Sequence, residues 1–204
     1  MFKRMSVLVR RLGDDRAYFS RMWERHAAPV SSLPRVRGYI QNHVEDDFLS
    51  AEGGPLRADG FVELLWDNPE DMAAAFASPA ARPMIEDEPN FLGHGSGYAL
   101  AAAPPLREAH GGKLIVVAAG LDHAALDALE RRLGEAPGLL QLIRDDVRSL
   151  IGKPGMAPPQ PADAFFHLYF SRGEDAGEVG QRLVSAADLG ASVGAYRVRT
   201  VRFA

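Results

Sequence analysis

Two histidines and a tyrosine stand within one short segment, FSRMWERHAAPVSSLPRVRGYIQNH, Phe19 to His43. A neutral imidazole can take a proton from an acidic carbon or phenol near neutral pH and return it, and a phenol can donate to the oxyanion that forms. Elimination, retro-aldol cleavage and aldol cyclisation all need these parts. Phe19, Met22, Trp23 and His26 are spaced i, i+3, i+4, i+7, so on a helix the His26 ring lies on the buried face. We read His26 as the general base, His43 as a second acid/base and Tyr39 as the oxyanion donor. The competing reading of His26 is a core histidine bonded to a backbone carbonyl, because buried polar groups normally find a structural partner.

Tyr39, Gln41 and His43 share one face of a strand, where a core strand would carry valine or isoleucine. Such a row lines a wet cavity, or it faces solvent as on any half-solvated strand. Gln41 and Asn42 are taken as substrate contacts, with Trp23, Phe61 and Phe91 as apolar walls. Glu63 interrupts the apolar run GFVELLW, where it either orients a substrate hydroxyl or pairs with Arg37 or Arg35 on the neighbouring strand. His94, in GHGSG, is placed at the pocket rim, since glycines let a backbone approach a ligand closely. The acidic run Glu86, Asp87, Glu88 reads as a solvated loop. No histidine or carboxylate spacing matches a metal-ligand set, and no nucleotide fingerprint or nucleophile elbow occurs; no metal or cofactor is expected.

The elements that must position these residues follow from periodicity. Met5, Val7 and Val9 alternate as a strand, and a helix starts near Asp15 with an aspartate cap. Strands are expected at Val36 to Val44, Phe61 to Trp66 and His94 to Ala102, with a helix opening at Asn68-Pro69 and burying Met72, Ala75 and Phe76. The order β-α-β-β-α-β is that of a ferredoxin-like unit.

The second half repeats this order. Strands are expected at Leu114 to Ala118, Leu139 to Val147, Ala164 to Phe170 and Val193 to Phe203. One helix is capped by Asp122 and ends at Gly134, and another spans Glu178 to Ala187. LPRVRGYIQNHV lies over APGLLQLIRDDV at an offset of 103 residues, and GFVELLWD over AFFHLYFS at 104. Residues 1–102 and 113–204 are thus read as two units joined by a Pro/Gly-rich linker, 103–112. Each four-stranded sheet has one face left apolar by its own helices, so packing the two sheets together predicts a pseudo-dimeric α+β barrel within one chain. At Tyr39, Gln41 and His43 the second copy has Leu142, Arg144 and Asp146, so a site built on that row exists once.

The segments VLVRRLGDD, FSRMWERHAAPV, LPRVRGYIQNH, DGFVELLWD and EDEPNF resemble the EthD family of dimeric α+β barrel proteins; W-x-x-H-A-x-P (Trp23 to Pro29) with Y-x-Q-N-H (Tyr39 to His43) carries the likeness. The second half lacks both elements and is similar to a degenerate copy. The resemblance implies a ferredoxin-like unit with a small-molecule pocket. It also implies kinship with cofactor-independent lyases, dehydratases and cyclases of aromatic or polyketide-like compounds. Two other functions are carried forward: a non-catalytic small-ligand-binding accessory protein, and a cofactor-free oxygenase of phenols.

The bulk composition sets limits. The 204 residues carry 23 Lys+Arg against 27 Asp+Glu, a formal charge of −4, and no cysteine. Nothing in that balance recruits nucleic acid, disulfides and thiolate nucleophiles are excluded, and a cytoplasmic setting is the expectation. No apolar run approaches the ~20 residues of a membrane helix. The expected partner is a small hydrophobic molecule, bound by a monomeric barrel or a homodimer.

Overall fold

The computed structural model describes residues 1–49, 54–100, 111–153, 155–185 and 190–203. Eight strands form one closed antiparallel barrel: β1 (Phe2–Arg10), β2 (Gly38–Phe48), β3 (Gly60–Trp66), β4 (Leu92–Leu100), β5 (Gly112–Ala118), β6 (Leu139–Ile151), β7 (Ala164–Phe170) and β8 (Val193–Phe203), in the cyclic order β1-β3-β2-β8-β5-β7-β6-β4. The first four strands thus form one arc, β4-β1-β3-β2, and the last four a second, β8-β5-β7-β6. They are sealed by the β2–β8 and β4–β6 pairings. Two tandem ferredoxin-like units therefore close a pseudo-dimeric α+β barrel within a single chain. Most of the linker stretch, residues 103–110, lies outside the described residues.

Strand alternation divides the interior into three layers. Met5, Val7, Phe61, Ile115, Val117, Phe165 and Tyr196 point inward and fill the barrel. Leu8, Val62, Leu64 and Trp66 point outward from the first arc and are covered by α1 (Arg16–Arg25), α2 (Ala27–Ser31), α3 (Pro69–Ala77) and α4 (Arg82–Asp87). On the second arc, α5 (His123–Gly134) and α6 (Gly173–Val184) cover an apolar layer that includes Leu114, Val116, Phe166 and Leu168. Helix starts follow local chemistry: Asp15, Asn68 and Asp122 accept from the backbone N–H groups of Tyr18, Asp71 and Ala125.

Several elements differ from their sequence expectation. β6 runs past Val147 to Ile151, and β4 begins at Leu92 rather than His94, with residues 101 and 102 outside the described residues. β2 runs on from Val44 to Phe48 because β8 pairs with that extension across a register shift at Glu45. α6 begins at Gly173 rather than Glu178, since Ala176, Val179 and Leu183 already form its buried stripe, and residues 186 and 187 are outside the described residues. Gly180 is no breaker there: a Cβ on it would lie 2.4 Å from the Phe48 ring, so its bareness lets α6 close on β2. The acidic run expected to be a solvated loop instead ends α4 and continues as a 3₁₀ turn, Glu88–Asn90.

Candidate functional site

α1 delivers the first functional side chain. Phe19 and Trp23 are buried against the sheet with ring centroids 5.5 Å apart, and His26, one turn on, caps the helix C-terminus and is itself buried. Its Nδ1 lies 2.7 Å from Asp87 Oδ2, at the end of α4. Asp87 also accepts from Asn90 Nδ2 at 3.0 Å. Partial burial would raise the Asp87 carboxyl, but the Asn90 and His26 hydrogen bonds outweigh it and hold the group below its usual range. A carboxylate on Nδ1 fixes that nitrogen as the N–H donor and leaves Nε2 as the acceptor. Phe91 packs edge-on to the imidazole at 5.0 Å and limits how the ring can turn.

β2 supplies the polar row, and the row is buried. Tyr39, Gln41 and His43 are 2%, 0% and 3% exposed, facing the helix layer rather than solvent. Gln41 Nε2 donates to the Trp23 carbonyl at 2.8 Å and to the Tyr39 hydroxyl at 2.5 Å. His43 Nε2 meets Gln41 Oε1 at 2.9 Å, and His43 Nδ1 meets Ser20 Oγ at 2.7 Å. Both His43 nitrogens are therefore engaged. Burial, and then the nearby Arg199 charge, push its pKa down to about 4. Burial also raises the Tyr39 phenol, which remains a neutral donor.

His26 and Tyr39 meet at a cavity of about 60 Å³ between sheet and helices, with Arg4, Ser6, Trp23 and Phe91 among its other walls. An adjoining cavity of about 360 Å³ shares Arg4, Phe76, Met84 and Glu88 with it. The outer wall of the larger space comes from the second half, as Ile151, Gly152 and Lys153. Lys153 forms an ion pair with Glu88 across the opening. The inner space has room for no more than a small functional group, whereas the outer one falls in the ~300–1,000 Å³ range of small-molecule sites.

The structure divides the residues expected to form one site between two faces of the sheet. His26, Tyr39, Trp23 and Phe91 line the inner cavity, and Gln41 and His43 sit behind Tyr39 without lining it. Asn42, Phe61 and Glu63 point into the barrel instead. Glu63 pairs with Lys3 at 2.7 Å and Lys113 at 2.9 Å, not with Arg37 or Arg35, which bind Asp67 and Asp71. Asn42 donates to Glu63 at 2.9 Å and accepts from Lys113 at 2.9 Å. Asp145 and His167 complete the group, 3.0 Å apart. Against burial, the Lys113 and Lys3 charges hold Glu63 well below the usual carboxylate range. His94 lies within β4, opposite Val9, with Nε2 3.2 Å from Ser96 Oγ, away from both cavities. Among the described residues no three His, Asp or Glu side chains are placed to share a metal ion, and no helix is long and apolar enough to cross a membrane.

Sequence reasoning missed Arg4, Glu88 and Lys153, which line the cavities, and Asp87, which does not line them but holds His26. Asp87 and Glu88 lie in EDEPNF, part of the resemblance, but only the fold sets Asp87 beside a histidine 61 positions away.

The sequence profile of the EthD domain matches residues 12–95. No curated protein sequence matches the chain. Among solved structures, an anthrone oxidase-like protein superposes with a TM-score of 0.60 at 9% identity, covering 98% of this chain and 92% of that one. A provisionally named monooxygenase of Fusobacterium nucleatum gives 0.54 at 9% identity, over 98% and 91%. A provisionally named chlorite dismutase gives 0.52 at 12% identity, over 98% and 95%. At these identities the likeness shows a shared fold.

Proposed function

We propose, from the premise that residues 12–95 form an EthD domain, that the protein is an enzyme of small-molecule chemistry whose first step is proton abstraction by His26. The observation that carries this reading is the His26–Asp87 pair at the wall of an internal cavity shared with the Tyr39 hydroxyl. Asp87 holds the imidazole in the tautomer whose Nε2 accepts, and it stabilises the imidazolium once the proton arrives. The electrons left on the substrate move onto its carbonyl or phenol oxygen. There Tyr39 donates, its own hydroxyl oriented by Gln41. Loss of a leaving group, or attack of the enolate carbon on a second carbonyl, follows, and His26 returns its proton to the product. The reaction is that of a cofactor-independent lyase or cyclase on a hydrophobic, ring-bearing substrate.

A second reading is favoured by the fold shared with proteins named as an anthrone oxidase-like protein and a monooxygenase: the same carbanion or phenolate could instead react with dioxygen. Oxygen uptake during turnover separates the two. A substrate is first found by screening hydrophobic carbonyl and phenol compounds; His26→Gln then lowers kcat by roughly 100-fold or more, the usual contribution of a positioned base. Asp87→Asn and Tyr39→Phe lower kcat by smaller factors with little change in KM. Unchanged turnover in His26→Gln would remove the histidine from the chemistry, whereas ligand binding without turnover across the screen would leave a binding protein.

A further inference from the structure

We propose that Arg4 is a carboxylate-recognition residue and that the ligand of this cavity is a ring-bearing carboxylic acid bound as its anion. The proposal rests on the reading that the cavity between sheet and helices is the substrate site. Arg4 projects from β1 at the junction of the two cavities and lines both. It makes no hydrogen bond or ion pair with the described residues, and its Nε is buried without a partner. Its guanidinium carbon stands 4.6 Å above the Phe76 ring, a contact that positions the group but satisfies none of its N–H donors.

The charge balance of the cavity walls points the same way. The charged residues lining the two cavities are Arg4, Lys153 and Glu88. Glu88 is committed to Lys153, so its field reaches Arg4 without a hydrogen bond. One positive charge is left over in a partly dehydrated site. Burial accordingly depresses the Arg4 pKa to about 10, with Glu88 offsetting only part of the effect. A buried unpaired cation is costly, and a ligand carboxylate in contact with it removes that cost.

The backbone beside Arg4 is shaped to leave room. Gly97 on β4 would place a Cβ 3.3 Å from Arg4 Nη2 and 2.8 Å from the Ile151 carbonyl, so any larger residue would crowd the guanidinium. A planar guanidinium matches a carboxylate through two parallel N–H···O bonds. The ligand's apolar body then occupies the outer space between Phe76, Met84 and Ile151, and its reacting group reaches inward to His26 and Tyr39.

The test uses the full-length protein and two probes of the same shape, 2-naphthoate and its neutral amide, titrated by calorimetry. A charge-assisted hydrogen bond is worth about 1.5–3 kcal/mol, so the wild type is expected to prefer the carboxylate by roughly 10-fold or more. Arg4→Met abolishes the preference while amide affinity is kept. Arg4→Lys, which keeps the charge in case the methionine variant fails to fold, retains part of it. Equal affinity for the two probes, absence of naphthoate binding, or a preference that survives in Arg4→Met overturns the proposal. The carboxylate-over-amide ratio, which depends on Arg4, is expected to survive in His26→Gln whatever happens to the two affinities themselves, so carboxylate preference with no His26-dependent turnover would sink the catalytic reading and leave the role of Arg4 standing.

Discussion

His43 and His26 are the same residue type in the same helix–sheet layer, and their partners decide what each can do. His26 keeps one nitrogen without a protein partner among the described residues; His43 spends one on Ser20 and the other on Gln41. His43 therefore serves as a structural link that orients Gln41, and through it Tyr39. Its depressed pKa has a stability consequence. The unfolded chain takes up a proton near pH 6.5 and the folded state only near pH 4, so the unfolded state binds more protons between these values and stability falls as pH drops through that window. The full loss is at most about 3 kcal/mol. His167, also depressed by burial, adds to it with the same sign. Urea midpoints measured from pH 7 to 4.5 should fall in the wild type and fall less steeply in His43→Gln. Equal slopes would show that His43 is not buried neutral.

At the scale of elements, the site depends on how closely α1 lies on β3. Gly60 opens β3, and a Cβ there would stand 2.3 Å from Cζ3 of Trp23. The indole fills the place of the missing side chain, which seats α1 and so sets the position of His26 one turn later. Gly60→Ala is expected to cost about 1–3 kcal/mol, as overpacking does, and to shift tryptophan fluorescence as the Trp23 ring is displaced. Gly38→Ala is the control: its Cβ would meet only the end of the flexible Leu65 side chain, at 3.0 Å, so a smaller loss is expected. Comparable losses in the two variants would argue against the Trp23 seat. The helix starts at Asp15, Asn68 and Asp122 were legible because a cap is a local signal. α4 was not, because its buried contacts, Met84 in the helix layer and Asp87 on His26, are supplied by tertiary neighbours.

At the scale of the whole molecule, the barrel interior holds a charge cluster contributed by both halves. Lys3 and Glu63 come from the first arc and Lys113 and Asp145 from the second, two charges of each sign. Removing one member leaves another uncompensated. Glu63→Gln should therefore lower stability by about 3–5 kcal/mol. The double variant Glu63→Leu with Lys113→Met leaves the Lys3–Asp145 pair balanced and should recover much of that loss. Chemical unfolding of both variants checks this; a Glu63→Gln loss below about 1 kcal/mol would mean that the cluster does not help hold the arcs together. The second half is also more than a support for the first, since its Ile151, Gly152 and Lys153 wall the outer cavity.

The sequence alone determined the two β-α-β-β-α-β units, their closure into an α+β barrel, the helix face that buries His26 and the single occurrence of the Tyr39 row, because periodicity, caps and internal repetition are local properties of the chain. It could not say which face of each strand would look into the barrel and which toward the helices. Alternation fixes only that neighbouring residues part company. Closure of the sheet made that choice: it sent Asn42, Phe61 and Glu63 inward to Lys3 and Lys113, and it left Tyr39 outward beside His26. Helix packing set Asp87, in sequence part of an expected solvated loop, on His26, and the outward face of β1 put Arg4 at the junction of the two cavities.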